Sequence, residues 1–468
     1  MNSPRWAQPH RWGGLLRGLS QFATRPRQVD ARELLDRLPV TQPASAEVLQ
    51  VIGTYADRIN GAMGSPTHGR LFTRLMLNTW QTTITRGSDG SAFVITGDIP
   101  AMWLRDSAAQ MRPFIPLAVE SVEIAACLEA IVAKQWECIE RAPYANAFNA
   151  GPTNDSWHAG DLCSNPWVWE EKYEIDSLAF PVQLAWQLWR VSGRDEVLDP
   201  LRHRARIVVD LWRTEQDHAE RSPYRFVRPG TSDTLARWGR GGPVARTGMT
   251  WSGFRPSDDP CTFGYNIPGN LFAVHALELV ADMATEAWQD EELAIEASSL
   301  ADEIREGVMK HGIGPERVLA YEVDGLGNQL MTDDANMPSL LSLPLTSSIS
   351  RHDPLYRSAR RFVLSQANPQ YFLGTHASGV GSPHSPEGWV WPIALAVQGL
   401  TCRTDDKFRL LATLARTDGG TGMMHESFNP HDPQEFTRPW FSWANSMYCE
   451  LALATADVTL DDVTRRWQ

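Results

Sequence analysis

From about residue 45 onward, apolar side chains recur at steps of three and four, segment after segment, and that period commits the chain to packed helices. Val48, Val51, Ile52 and Tyr55 mark one amphipathic face. Val119 to Cys138 carries Val122, Cys127, Ile131 and Trp136 on another. Asp176 to Val191, rich in Leu and Trp, is a third. The same spacing predicts helices over 196–214, 267–284, 290–310, 353–366, 389–402, 405–416 and 443–456. Strand signals are fewer: Phe93-Val94-Ile95, and a hairpin from Leu319 to Met331 around Asp324-Gly325-Leu326-Gly327-Asn328.

Long connections at 140–168, 222–264, 367–388 and 417–441 hold much of the Gly, Pro, His and Trp. Long loops on a helical scaffold usually carry function. Helix pairs stacked around an axis would gather alternate loops at one end of a closed ring and so form one deep pocket. An α-solenoid or an irregular bundle would show the same periodicity. A chain of 468 residues that is 43% hydrophobic can bury the core such a ring needs. With no low-complexity tract and no evident linker, residues 29–468 are expected to form a single domain behind a flexible leader at 1–28.

The net charge of −13 disfavours nucleic acid and anionic membrane as partners and favours a neutral small molecule or glycan. The leader carries Arg5, Arg11, Arg17, Arg25 and Arg27 with no acid before Asp30. Its apolar stretch, Gly13-Gly14-Leu15-Leu16, is cut off by Arg17 and is too short for a secretory signal. No stretch reaches the roughly 18 uncharged apolar residues that span a bilayer. The expectation is a cytoplasmic monomer or weak homo-oligomer, with export left open. None of the six cysteines forms a Cys-x-x-Cys pair, so buried free thiols are expected.

Three segments set carboxylates among tryptophans and arginines: Thr96 to Asp106, with Asp98, Trp103, Arg105 and Asp106; Arg255-Pro256-Ser257-Asp258-Asp259; and His425-Glu426-Ser427-Phe428, followed by Arg438, Trp440 and Trp443. Indole faces suit the C–H faces of a sugar ring, and carboxylate and guanidinium suit its hydroxyls. Cleaving a glycosidic bond calls for two carboxyl groups flanking it. Asp258 or Asp259 is the candidate general acid and Glu426 the candidate base, tuned by His425 or Arg438. Asn270 and His376 could line the same pocket. Each motif also has a plain structural reading. Asp106 suits a helix N-cap, Arg105 could neutralise Asp98 or Asp106, the Asp258-Asp259 pair suits an Asx-turn, and Glu426 could be an ion-pair residue. Glu170, Glu171, Glu174 and Asp176 could merely favour a helix dipole. Asp333 and Asp334 read as a turn that could face the pocket. There is no Gly-x-Ser-x-Gly, phosphate loop, Gly-x-Gly-x-x-Gly or His-Glu-x-x-His motif. His376, His384, His425 and His431 lack ligand spacing, so neither metal nor cofactor is expected.

Thr96-Gly97-Asp98-Ile99-Pro100-Ala101-Met102-Trp103-Leu104-Arg105-Asp106-Ser107, Phe254 to Asp259 and Met424 to Phe428 together resemble glycoside hydrolase family 125, over residues 45–460. The resemblance implies a mainly α fold, an (α/α)6 barrel with long loops and a few short strands at one face. It also implies a metal-independent, inverting exo-α-1,6-mannosidase, with its acid in the Arg-Pro-Ser-Asp-Asp motif and its base in His-Glu-Ser-Phe. It does not say which of Asp258 and Asp259 is the acid. Inversion needs the two carboxyls roughly 6.5–9.5 Å apart, against about 5–5.5 Å for retention. Asp98, Arg105 and Asp106 would then hold hydroxyls, and Trp103, Trp391 or Trp440 would stack on the terminal mannose or wall its pocket. The rivals are another helical-barrel carbohydrate enzyme, such as a trehalase-like glucosidase or a polysaccharide lyase, and a catalytically inactive glycan-binding protein.

Overall fold

The periodic segments fold as helices in the computed structural model, which describes residues 28–158, 160–161, 163–402 and 405–460. The expected leader lies outside these apart from Gln28. In chain order, the helices of eight residues or more are α1 (Gln28–Asp36), α2 (Ala46–Met63), α3 (Pro66–Asn78), α4 (Leu104–Met111), α5 (Val122–Arg141), α6 (Asp176–Ser192), α7 (Arg202–Glu215), α8 (Ile267–Glu286), α9 (Glu291–His311), α10 (Pro354–Val363), α11 (Pro392–Leu400), α12 (Asp406–Arg416) and α13 (Ser442–Thr455). The periodicity missed α1, α3, which starts at Pro66 behind the cap Ser65, and the short α4. Strands among the described residues are at most five residues long. No helix among these residues is long and apolar enough to cross a membrane.

Local chemistry sets the helix ends. The Ser45 hydroxyl accepts the Val48 N–H at the start of α2, and Gly64 ends that helix in the left-handed region. Asn266 caps α8 through the Gly269 N–H, with Pro268 in the first turn. The segment expected from 196 begins as helix only at Arg202, after two short turns at Asp195–Val197 and Asp199–Leu201.

The chain divides into two compact units. The first takes the described residues up to Lys134, Gln187–Arg194 and those from Tyr371 on; the second takes Gln135–Trp186 and Asp195–Gln370. The first is built on α13, which is buried on every side and packs against α11, α12, α3 and α4. A helix buried on every side belongs to a core. Each fully buried large apolar side chain, such as Met447 or Leu451, contributes about 1.5–3 kcal/mol. The one acid on α13, Glu450, is held by Arg112 through two hydrogen bonds of 2.9 and 2.7 Å, which meets the requirement that a buried charge be paired. In the second unit α8 packs along α9, which also touches α7.

Candidate active site

In the first unit a β-hairpin brings two of the expected residues together. Phe428–Asn429 pairs with Asp432–Phe436, and Phe428 lies opposite Phe436. Beyond that pair, the Thr437 N–H donates to the Ser427 carbonyl at 2.9 Å and Ser427 N–H to the Thr437 hydroxyl at 3.0 Å. The register therefore sets Glu426 across from Arg438, and Nη1 lies 3.4 Å from Oε1. Asn445 on α13 steadies the segment before Glu426 by accepting the Met424 N–H at 2.9 Å.

A second strand-like segment completes the cluster. Residues 96–98 run beside 440–442, with Ser442 N–H donating to the Thr96 carbonyl at 3.0 Å and Asp98 N–H to the Trp440 carbonyl at 3.2 Å. This approach requires Gly97. Its φ is +129°, and a Cβ there would meet the Trp440 carbonyl at 2.5 Å. Asp98 is thereby delivered to Arg438, whose Nε lies 3.0 and 3.1 Å from the two carboxylate oxygens. Burial would push the Arg438 guanidinium down, but Asp98 and Glu426 outweigh it and hold it above the ordinary arginine range, with Asp106 adding to the same field. Side-chain exposures of 10% for Glu426, 14% for Asp98 and 22% for Arg438 leave the cluster within reach of solvent. A carboxylate beside a fork of N–H donors is a combination that can bind hydroxyls or accept a proton.

Arg105 and Asp106 are buried in the first turn of α4, 3.3 Å apart, with Arg105 also 5.5 Å over the Trp443 ring. Asp106 is thus inside the helix rather than its N-cap, which falls on Trp103. His376 is exposed on a loop whose N–H donates to the Pro430 carbonyl.

Burial revises the expectation for four residues. Trp440 is fully buried and its indole N–H donates to Asn78, so it offers no open face for stacking. Trp391 is likewise buried, its N–H given to Ser385. His425 stacks on Phe436 at 3.7 Å, with Nδ1 3.1 Å from the Arg438 carbonyl and Nε2 3.2 Å from that of Asp418. It braces the backbone that carries Arg438 instead of facing a ligand. Asn270, in the second unit, spends its amide on the Thr250 and Asn266 backbone.

In the second unit Arg255 to Pro260 forms a tight loop. Arg255 N–H donates to the Asp259 carbonyl at 2.8 Å and Asp258 N–H to the Arg255 carbonyl at 2.9 Å. Arg255 is bound to buried Glu322, which also accepts the Thr262 and Phe263 N–H groups, so it anchors the loop. The Ser257 hydroxyl donates to Asp259 at 2.9 Å. Asp258 has a φ of +65°, a strained conformation for a residue with a Cβ and one that clusters at functional sites. Asp333 and Asp334 are buried. Asp333 accepts the Leu340 and Leu341 N–H groups, and burial pushes its carboxyl up to about 8.

Comparison with known proteins decides the class. A profile described as metal-independent α-mannosidase (GH125) matches residues 65–453. The chain belongs to this family. It is 37% identical to the meiotically up-regulated gene 157 protein of Schizosaccharomyces pombe, over 89% of this chain and 88% of that one. Among solved structures it resembles a Streptococcus pneumoniae metal-independent α-mannosidase, caught in a non-productive complex with α-1,6-mannobiose. There the identity is 42% and the TM-score 0.84, over 87% of this chain and 99% of that chain. The fold class is therefore the mainly helical α/α barrel of these enzymes, and the trehalase-like, lyase and inactive-binder readings fall away. Among the described residues no group of three or more His, Cys, Asp or Glu is arranged as a metal site.

Sequence reasoning missed several residues of this α-mannosidase that hold the acidic loop: Asn146, Lys172, Arg228 and Glu322. Glu170, a residue that by sequence could merely favour a helix dipole, lies on a strand, Val168–Glu170, and pairs with Arg228. The available signal was Lys172, one base among four acids in seven residues, Glu170 to Asp176.

Burial also gives His425 a role in acid stability. It lowers the imidazole from 6.5 to about 4, so the folded protein prefers the neutral ring. The stability this supplies, about 3 kcal/mol at 1.36 kcal/mol per pH unit, is present above pH 6.5 and lost as the pH falls toward 4. Urea midpoints at pH 7 and pH 4.5 should fall further apart for wild type than for His425→Gln.

Proposed function

We propose that this α-mannosidase is an inverting exo-enzyme that hydrolyses terminal, non-reducing mannose from α-1,6-linked mannosides or glycans. The observation that carries the reading is the Arg438 cluster, in which one guanidinium orients Glu426 and Asp98 at a solvent-reached surface. Glu426 takes a proton from water as the water oxygen bonds to the anomeric carbon. A carboxyl of the Asp258-Asp259 pair donates a proton to the departing glycosidic oxygen. We assign that donor to Asp258, because its left-handed backbone, with a φ of +65°, is a strained conformation of the kind held at functional sites; Asn146 lies 3.5 Å from its carboxylate, and Asp259 accepts the Ser257 hydroxyl. Asp98, Arg105, Asp106 and Arg438 are proposed to hold hydroxyls of the terminal ring, with Trp103 walling it. The α-1,6 linkage is supported by the mannobiose bound to the pneumococcal enzyme. Residues 29–468 acting as one catalytic domain, a monomeric or weakly oligomeric state and the cytoplasm belong to the same proposal; six free cysteines suit a reducing compartment.

Proton NMR of α-1,6-mannobiose hydrolysis tests linkage and stereochemistry together. The expected first product is β-mannose, with α-1,2- and α-1,3-mannobiose turned over more slowly. Initial α-mannose, or a preference for another linkage, would overturn the reading.

A further inference from the structure

The loop that carries Asp258 is tied to a buried charge network that the reaction itself does not require. Lys172 is only 6% exposed at its side chain. Its ammonium lies 3.0 Å from Asp233 and 3.7 Å from Glu170, and 5.2 Å over the Phe254 ring. Arg228, equally buried, grips both oxygens of Asp161 at 2.7 Å and reaches Glu170 at 2.6 Å and Asp233 at 2.9 Å. Asn146 accepts the Lys172 N–H at 3.0 Å and donates to Glu170 at 3.1 Å, with its amide 3.5 Å from an Asp258 oxygen. Burial alone would lower the Lys172 ammonium, but Glu170, Asp258 and Asp233 outweigh it and keep it charged.

Arg228 and Lys172 would be satisfied as ions by Asp161, Glu170 and Asp233. The remaining contact is different in kind: the Lys172 ammonium donates to the backbone carbonyl of Asp258 at 2.7 Å. That carbonyl belongs to the residue with φ of +65°. A left-handed residue with a Cβ persists only where its surroundings over-determine it. A charged hydrogen bond, about twice as strong as a neutral one, from a lysine itself locked by two carboxylates, is such a restraint.

We propose that Lys172 is a positioning residue for the proton donor, its ammonium holding the Asp258 carbonyl so that the strained turn keeps the Asp258 carboxyl on the departing oxygen. The inference rests on the assignment of Asp258. It places the second unit's Asn146, Glu170 and Arg228 behind Lys172 as its support, none of them touching substrate.

The test uses leaving-group ability. Cleaving α-1,6-mannobiose expels an alkoxide and needs a proton donor. Cleaving 2,4-dinitrophenyl α-mannoside expels a stable phenolate and does not. Lys172→Met is expected to lower kcat on mannobiose by about 10- to 100-fold, the scale of a 1 Å misplacement, with KM little changed and the dinitrophenyl substrate near the wild-type rate. Parallel loss on both substrates, or loss on neither, overturns the proposal. Asp233→Asn loosens Lys172 from the half-buried side and should give the same selective loss, smaller; it carries the test if Lys172→Met does not fold. Asp258→Asn in parallel separates the two claims. If it lacks the selective loss, the donor assignment has failed; if it shows the loss and Lys172→Met does not, only the positioning role has failed.

Discussion

Replacing Glu426 by glutamine is expected to lower kcat on α-1,6-mannobiose by about 10²- to 10⁴-fold, the range of a positioned general base, while mannoside binding survives. The substitution is nearly isosteric and removes the oxygen that receives the water proton. Arg438 keeps its contacts to Asp98, through Nε at 3.0 and 3.1 Å and through Nη2, so the cluster proposed to bind hydroxyls stays in place. The hairpin register rests on Phe428, Ser427, Thr437 and Phe436, and the segment before position 426 on the Asn445 amide. None of these uses the Glu426 side chain, so the variant should fold as the wild type does. Single-turnover rates with calorimetric binding of α-1,6-mannobiose check both halves. Wild-type turnover would remove Glu426 from the role of base; lost binding would make it a hydroxyl ligand.

What could be read in the sequence follows from where the physics is local. Amphipathic period and caps are local, so most helices were legible, within a few residues where three-residue turns precede Arg202 or a proline opens α11 at Pro392. The α3 helix was not, because its buried set, from His68 and Gly69 to Asn78, includes polar and small residues that blur the pattern. Acid-rich motifs were visible as composition. The pairing of Glu426 with Arg438 could have been read as a hairpin register, but the meeting of Asp98 with Arg438 depends on Gly97 packing against a backbone more than 300 positions away. Burial decided the rest: Trp440, His425 and Asn270 sit inside or beside the acidic motifs, yet their polar atoms are consumed by the protein. A motif's letters do not say which side of the chain faces in.

The two acids of the Arg-Pro-Ser-Asp-Asp loop should separate sharply on mutation. Asp258→Asn is expected to lower kcat/KM on α-1,6-mannobiose by about 10²- to 10⁴-fold with little change in stability, since asparagine tolerates φ near +65° as well as aspartate does. Asp258→Gly should be equally inactive yet no less stable, because glycine meets that backbone without strain; stability kept while activity is lost marks strain held for function. Asp259→Asn changes a carboxylate that already accepts the Ser257 hydroxyl, and its carbonyl, which closes the loop by accepting the Arg255 N–H, is untouched. Its loss should therefore be smaller and shared between dinitrophenyl and mannobiose substrates. Mannobiose kinetics and urea midpoints for the three variants decide the matter. If Asp259→Asn proves the variant that spares only the activated substrate, the proton comes from Asp259, and the strain at Asp258 serves to turn its neighbour toward the sugar.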